Sequence, residues 1–368
     1  EQGDKFSTTP LVAPLIDYNH VGQPDRLGGR TVLDVNLLAL TRTGSNDTRR
    51  LSIRGGWEVP FFTSFGDAFK LSAKMLGDFY NVGQLPRSDA PEDFTGFSGR
   101  LLPELTLSWR HPFVRQQGSG HQVIEPIASV VLSPYGGNTG KIPNEDSVDF
   151  EFDDTNLFRS SRFSGLDRVE SGPRINYGLK WDIYGRDGGS TGFLIGQSYR
   201  VRRDNTFAAL SGLEDHFSDI VARVQVKPIK LVDLTYRTRI SKENLSPARN
   251  EIEFTFGAPL FRVGANYLFL DRQEDDEFSS REEISMNISS QLNRNWRTSA
   301  SAVRDLAGGG QMRAANLNVS YENECCLIAT NLSRTFFEDR DLTPTDSITF
   351  RVTLKTLGAV QTGTSLGE

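Results

Sequence analysis

The chain has 368 residues, 41 basic and 47 acidic, for a formal net charge of −6; this balance argues against a duplex nucleic-acid binder, which is basic as a rule. Mean hydropathy is −0.40 and no run of about 18 apolar residues occurs, so no transmembrane helix is expected. Phe (24) and Gly (34) are plentiful and helical signatures scarce, which suits many strands and turns. The first residue is Glu1 and no signal-peptide pattern follows it, so the chain reads as a mature protein or an excised piece.

Taken in chain order, about 17 strands are predicted: 9–21, 29–43, 49–62, 67–83, 97–116, 121–136, 170–186, 190–203, 219–229, 231–241, 249–258, 260–272, 282–292, 296–306, 311–321, 326–336 and 347–357. The warrant is alternation with a period of two. In 219–227, Ile220, Ala222, Val224 and Val226 oppose Arg223, Gln225 and Lys227. In 231–240, Val232, Leu234, Tyr236 and Ile240 oppose Asp233, Thr235, Arg237 and Arg239. In 284–292, Ile284, Met286, Ile288 and Leu292 oppose Ser285, Asn287, Ser289 and Gln291. In 316–321, Leu317, Val319 and Tyr321 oppose Asn316, Asn318 and Ser320. In 347–357, Ile348, Phe350, Val352 and Leu354 oppose Ser347, Thr349, Arg351, Thr353 and Lys355.

Two architectures use this pattern. A soluble sandwich buries the apolar face against a second sheet. A membrane barrel turns it to lipid and keeps the polar face on a watery lumen. The connections favour the barrel, because long ones (84–96, 137–169, 204–218, 242–248, 273–281 and 337–346) alternate with tight ones. Outer-membrane barrels keep short periplasmic turns and long outer loops. The fold class expected is therefore all-β, an antiparallel transmembrane β-barrel, with the whole chain as one part of it. An odd strand count ending in the periplasm implies an odd number of strands upstream, since single-chain bacterial barrels have even counts. The longest loop carries Phe150, Phe152, Leu157, Phe158 and Phe163, enough apolar surface to fold into the lumen. Its acidic residues (Glu145, Asp146, Asp149, Glu151, Asp153 and Asp154) and those of the next acidic loop (Asp271, Glu274, Asp275, Asp276 and Glu277) lack EF-hand spacing. They read as solvated, with a bridging divalent cation as the rival; no metal or cofactor is expected.

Cys325 and Cys326 are the only cysteines. On an extended segment neighbouring side chains point to opposite faces, whereas a disulfide needs Cβ atoms about 4 Å apart and facing each other. Either both thiols are free or their partners lie on another segment.

Several motifs, in order, resemble the LptD family, the lipopolysaccharide-assembly (organic-solvent-tolerance) proteins of the Gram-negative outer membrane. They are Glu125 to Tyr135 (EPIASVVLSPY), Leu157 to Arg168 (LFRSSRFSGLDR), Ile195 to Tyr199 (IGQSY), Tyr321 to Arg334 with its vicinal cysteines, and Phe350 to Gly358 (FRVTLKTLG). The resemblance implies a 26-strand barrel behind a periplasmic jelly roll, of which this chain would be the C-terminal portion. It implies a translocon and no enzyme. Lipopolysaccharide sugars cross the lumen and the lipid leaves through a lateral gate formed with the last strand, here Ser347, Ile348, Thr349, Phe350, Arg351, Val352, Thr353, Leu354 and Lys355. Implied partners are lipopolysaccharide, the lipid bilayer, the lipoprotein LptE inside the lumen and the bridge protein LptA through the N-terminal domain. Also implied is a lumen-loop motif of Leu157, Phe158, Arg159, Gly165, Leu166, Asp167 and Arg168. Basic candidates for lipid phosphates are Arg223, Lys227, Arg237 and Arg239, which alternatively only solvate a lumen. The family's cysteine partners lie in its N-terminal segment, so both Cys325 and Cys326 would bridge to residues outside this chain.

Three rivals are weighed. A general porin or solute transporter shares the composition, but has no use for the cysteine pair. A soluble β-sandwich binding protein is the second. An enzyme is the third; its histidines (His20, His111, His121 and His216) are scattered, and only Asp215-His216 offers an acid–base pair.

Overall fold

The computed structural model describes residues 10–44, 46–87, 90–147, 150–185, 188–204, 206–271, 281–307, 310–336, 344–355 and 358–366. Nineteen strands follow one another: β1 (Leu11–Val21), β2 (Arg30–Thr41), β3 (Asp47–Phe62), β4 (Ala68–Leu85), β5 (Phe94–Arg110), β6 (Phe113–Gln117), β7 (Gly120–Leu132), β8 (Arg174–Tyr184), β9 (Ser190–Arg200), β10 (Ile220–Lys227), β11 (Val232–Ile240), β12 (Pro247–Ala258), β13 (Phe261–Leu270), β14 (Arg281–Gln291), β15 (Trp296–Asp305), β16 (Met312–Glu322), β17 (Cys326–Thr335), β18 (Thr345–Leu354) and β19 (Gly358–Leu366). All pairings are antiparallel between chain neighbours, except that β5 and β6 both pair with β7. Among the described residues no pairing joins β1 to β19, so the sheet is one continuous meander with two edges.

Two expectations need correction. The segment 97–116 is two strands, because His111-Pro112 interrupts it. Proline has no N–H to give the ladder, and only the His111 N–H carries on, to the Pro126 carbonyl at 3.2 Å. Counting β5 and β6 as one traverse, the described residues make eighteen crossings, where seventeen strands were expected. Likewise Ser347 to Lys355 is not the last strand of the sheet. β19 pairs with β18 from Asp346↔Leu366 to Leu354↔Gly358. Its sequence, GAVQTGTSL, is rich in Gly and Thr and has little apolar alternation, which is why the sequence signal ends at Leu357.

The strands take their faces from the alternation. Ile53, Phe79, Leu101, Ile175, Met286, Ile288, Leu317, Leu332, Ile348 and Phe350 are exposed on the outer face. A contiguous apolar surface on this scale marks contact with lipid or another apolar body. The neighbours on the opposite face include Ser52, Asp78, Arg50, Arg174, Asn176, Ser198, Arg200 and Arg239, all buried. No helix is long and apolar enough to cross a membrane among the described residues.

Connections fall into two ends. At one, tight turns such as 63–67, 118–119, 228–231, 259–260 and 323–325 join the strands; at the other lie the long ones, above all 133–173 and 201–219. The longest exceeds the expected 137–169, because β7 stops at Leu132 and β8 starts at Arg174. Gly136, Gly137 and Gly172 there hold φ of 95°, 101° and 83°, positive values that glycine adopts without strain.

The wall curls around this loop. Nine inter-strand spacings of about 4.8 Å would put β2 and β12 about 43 Å apart in a flat sheet. Yet Glu145 reaches Arg42, just past β2, and Asp153 reaches Arg249 of β12. Eight residues of chain extend at most about 28 Å; side-chain reach closes part of the gap and curvature the rest.

Candidate functional site

The site is the inner loop 133–173 and the strand faces that grip it. An unstructured loop of this length inside a compact domain is usually functional, and this one is tied down at several points among its described residues. Two of its arms clasp each other through reciprocal aspartates. Asp146 Oδ1 accepts the N–H groups of Leu166 (2.9 Å) and Asp167 (3.0 Å). Asp167 Oδ2 accepts those of Glu145 (2.7 Å) and Asp146 (3.2 Å). Gly165 is required at the crossing, because a Cβ there would lie 2.2 Å from Asp146 Oδ1 and 2.4 Å from its carbonyl oxygen.

The clasp is docked on β3, β4 and β5. Arg50 of β3 bridges Asp146 and Asp167, both at 2.6 Å. The Tyr80 hydroxyl donates to Asp167 at 3.0 Å. Arg100, held by Asp78 at 2.6 Å, donates to the carbonyls of Leu166 and of Asp167 (2.8 Å). Burial pushes the Asp167 carboxyl above its ordinary value, and the nearby Asp146 adds to this against the pull of Arg50. Arg42 adds a two-pronged grip on Glu145, at 3.0 and 2.7 Å.

A second anchor lies against β8 and β9. Glu170 is fully buried and contacts Arg162, Arg174 (3.2 Å) and Arg200. Burial pushes its carboxyl up, but three guanidinium groups outweigh that and hold it at about 2. Arg162 also donates to Asn176 of β8 at 2.9 Å and to the Leu157 carbonyl at 3.0 Å. Beside it, Phe152, Leu157, Phe207, Leu213 and Val221 form a buried apolar cluster, with Phe150, Phe158 and Phe163 packed around it. Gly178 and Gly196 are register partners on β8 and β9, and they make room for it. A Cβ on Gly196 would come within 2.5 Å of Leu157 Cδ2, and one on Gly178 within 3.1 Å of Phe158 Cζ.

The predicted site residues fall unevenly. In the lumen-loop motif, Leu157 and Asp167 are buried, Gly165 and Leu166 form the clasp, Phe158 packs on the cluster, and Arg168 donates to the Ile142 carbonyl at 3.1 Å. Arg159 is exposed. The four basic candidates are already engaged. Arg223 and Arg237 face Asp154 of the loop at 3.0 and 3.5 Å. Arg239 donates to the Ser211 carbonyl and sits 3.9 Å from Asp219. Lys227 pairs with Asp233 at 2.7 Å.

The expectation of solvated acids in this loop is wrong for Glu145, Asp146, Asp153 and Asp154, since each meets an arginine of the wall. Burial raises the Asp154 carboxyl above its ordinary value. Asp149 and Glu274, Asp275, Asp276 and Glu277 lie outside the described residues. No group of acids, histidines and cysteines poised for a metal occurs among the described residues.

Asp215 and His216 do not pair. Asp215 is held by Lys242 (3.1 Å) and Arg203 (3.0 Å), and His216 Nδ1 faces the Arg200 carbonyl at 3.1 Å. Cys325 and Cys326 sit at the β16–β17 turn as free thiols, exposed and half-buried. Asn323 Oδ1 accepts the N–H of Cys325 at 3.0 Å and of Cys326 at 2.8 Å.

Sequence reasoning missed Arg42, Arg50, Tyr80, Arg100, Arg162, Glu170, Arg174 and Arg200. The available signal was arginines on the non-apolar faces of 47–62 (Arg50 and Arg54) and 94–110 (Arg100 and Arg110) and at the ends of 174–200 (Arg174 and Arg200), but not their partners.

A meander of eighteen crossings, apolar outside and polar inside around its own loop, defines an outer-membrane-type β-wall. The family model described as LptD, LPS transport system D, matches residues 2–296, and the chain belongs to that family. Relatives named LPS-assembly protein LptD include one from Escherichia coli O1:K1, 28% identical over 186 residues, covering 49% of this chain and 23% of the relative. Another, from Histophilus somni, is 25% identical over 224 residues (55% and 28%). A third, from Aeromonas salmonicida, is 22% identical over 302 residues (73% and 35%). The match thus spans about a quarter to a third of these relatives' length. Among solved structures, a triple mutant of Rh. blastica porin aligns over 89% of this chain and 95% of its own, at 11% identity and a TM-score of 0.32.

Proposed function

We propose that this chain forms part of the wall of an outer-membrane translocon that inserts lipopolysaccharide into the outer leaflet. The observation that carries this reading is the two-faced wall in a chain of the LptD family. An apolar exterior suits lipid, and a hydrophilic interior suits sugars. In this reading the sugars traverse the lumen along the inner face that the loop leaves free. The lipid leaves at a lateral seam beside the C-terminal hairpin of β18 and β19, which includes the proposed gate residues Ser347 to Lys355. The lipoprotein LptE shares the lumen, and LptA docks on a periplasmic domain outside this chain.

Cys325 and Cys326, at the tight-turn end, would face the oxidising periplasm. There each bridges to a cysteine outside residues 1–368. Their support is local: Asn323 fixes the backbone of both and leaves Cys325 exposed. Non-reducing electrophoresis of the full-length protein tests this, with Cys325→Ser and Cys326→Ser each expected to shift migration.

Depleting the full-length protein should strip newly made lipopolysaccharide from the cell surface. Altered permeability with normal surface lipopolysaccharide would favour the porin reading instead.

A further inference from the structure

An open cleft of about 710 Å3 lies where the inner loop meets the 201–219 connection. It borders the clasp and the Glu170 anchor, since Arg168 follows Asp167 in the chain and Arg200 reaches both Asp204 and the Ser171 carbonyl. Among the described residues, two arginines of its lining form no ion pair with a carboxylate. Arg168 spends one nitrogen on the carbonyls of Ile142 (3.1 Å) and Pro143 (3.5 Å). Arg202 is exposed and rests over the Tyr135 ring, 5.4 Å from its centre. The other charges there are already balanced: Arg203 by Asp215 at 3.0 Å, and Asp204 by Arg200 at 3.7 Å. The lining therefore carries two guanidinium groups that no carboxylate contacts directly among the described residues. Guanidinium forks match phosphate oxygens in geometry as well as in charge.

Hydroxyls and amides surround these charges. Thr139, Asn138, Ser171 and Thr206 all line the cleft. The volume is that of a small-molecule site, far more than one phosphate ion occupies. We propose that this cleft binds a phosphorylated sugar, its phosphate between Arg168 and Arg202 and its hydroxyls on the neutral groups. The sugar phosphate could belong to a lipid headgroup or to a soluble molecule, and small probes separate these from the transport reading.

The experiment uses titration calorimetry on the full-length protein in detergent, with glucose 1-phosphate, inorganic phosphate and glucose as probes. Glucose 1-phosphate should bind more tightly than inorganic phosphate, and glucose should not bind. Arg202→Gln should weaken the sugar phosphate by about tenfold or more, with partial recovery in Arg202→Lys. Arg202 is exposed and its described contact is one ring, so folding is spared. Arg26→Gln, in the exposed β1–β2 turn at the far end of the wall, should change nothing. Equal affinity for inorganic phosphate would overturn the sugar half of the proposal. No binding of either phosphate, or binding unaffected by Arg202→Gln, would overturn the whole. A vesicle arm then distinguishes the sources: competition of glucose 1-phosphate by vesicles containing a phosphorylated glycolipid, and none by neutral phosphatidylcholine vesicles, places the ligand in a membrane.

Discussion

Arg50 and Arg351 both stand on the inner face of a strand, yet their surroundings differ. Arg50 is buried and bridges two loop aspartates; Arg351 is exposed and meets Gln361 of the next strand at 3.0 Å. The contrast extends to the strands around them. From β2 to β12 the inner face carries arginines that meet carboxylates of the inner loop. From β14 to β18 its middle carries short neutral groups in cross-strand rows, with charged groups such as Glu283, Asp305, Arg297 and Arg351 to either side of them. One row runs Asn287, Ser301, Asn316, Ser333 and Ser347; the next runs Ser289, Ser299, Asn318, Asn331 and Thr349. No residue after Leu270 is buried among the described residues. The same alternation therefore builds a gripping wall in one region and a bare hydrophilic wall in the other, and the difference lies in long-range charge pairing, not in strand propensity.

The sharpest way to break the contrast is to remove Glu170. Glu170→Ala leaves Arg162, Arg174 and Arg200 buried together without their shared counter-charge. Breaking a buried ion pair by deleting one partner costs about 3–5 kcal/mol. The loop 133–173 should open to protease and to hydrogen exchange, while β14–β18 keep their protection. Equal loss of protection in both regions would show that the anchor supports the whole wall.

Acid should reach the same anchor by titration. The Glu170 carboxyl is held at about 2, below the ordinary glutamate value. A lowered carboxylate contributes stability that is complete above its unfolded pKa, about 4.3, and is lost as pH falls through the folded value. Hydrogen exchange in the loop should thus be unchanged from about pH 7 to 5 and rise only below about pH 4. Opening already near pH 6 would point to another group.

Gly165→Ala probes the clasp. The added methyl group meets Asp146 oxygens at 2.2 and 2.4 Å, and overpacking of this kind costs about 1–3 kcal/mol. Protection should fall around 145–147 and 165–168, with the Glu170 anchor intact. Gly196→Ala, which would press on Leu157 at 2.5 Å, should instead loosen the apolar cluster.

Much of the wall was legible because a lipid-facing strand writes its apolar positions at every second residue. Met286, Ile288, Leu317, Ile348 and Phe350 are outward as the alternation requires. Phe152 and Leu157 were legible as a reason for the loop to turn inward. The Pro112 break was visible as a residue but not as a split strand, since the neighbours on both sides continue the alternation. β19 lacked the apolar rhythm. The charge pairing was not legible at all: Arg42 and Glu145 are 103 residues apart, and Arg249 and Asp153 are 96 apart. Only the curl of the wall brings them together, so loop acids read locally look solvated.

The bare region offers the smallest expected effect and the cleanest control. Asn318 stands on the inner face between Ser299 and Asn331, and its half-buried side chain has no hydrogen bond among the described residues. Asn318→Ala should therefore shift unfolding by no more than about 0.5 kcal/mol, as at other surface sites. That small cost is what makes it informative. A side chain that contributes nothing to the fold of the isolated wall can still touch what passes along it. If the inner rows of β14–β18 serve passage, replacing Asn316, Asn318 and Asn331 together by Ala should slow lipopolysaccharide delivery while thermal unfolding stays unchanged. Delivery at the normal rate would leave the neutral rows as mere wetting of the lumen. A large loss of stability would mean that these strands, like β3 to β5, hold a loop after all.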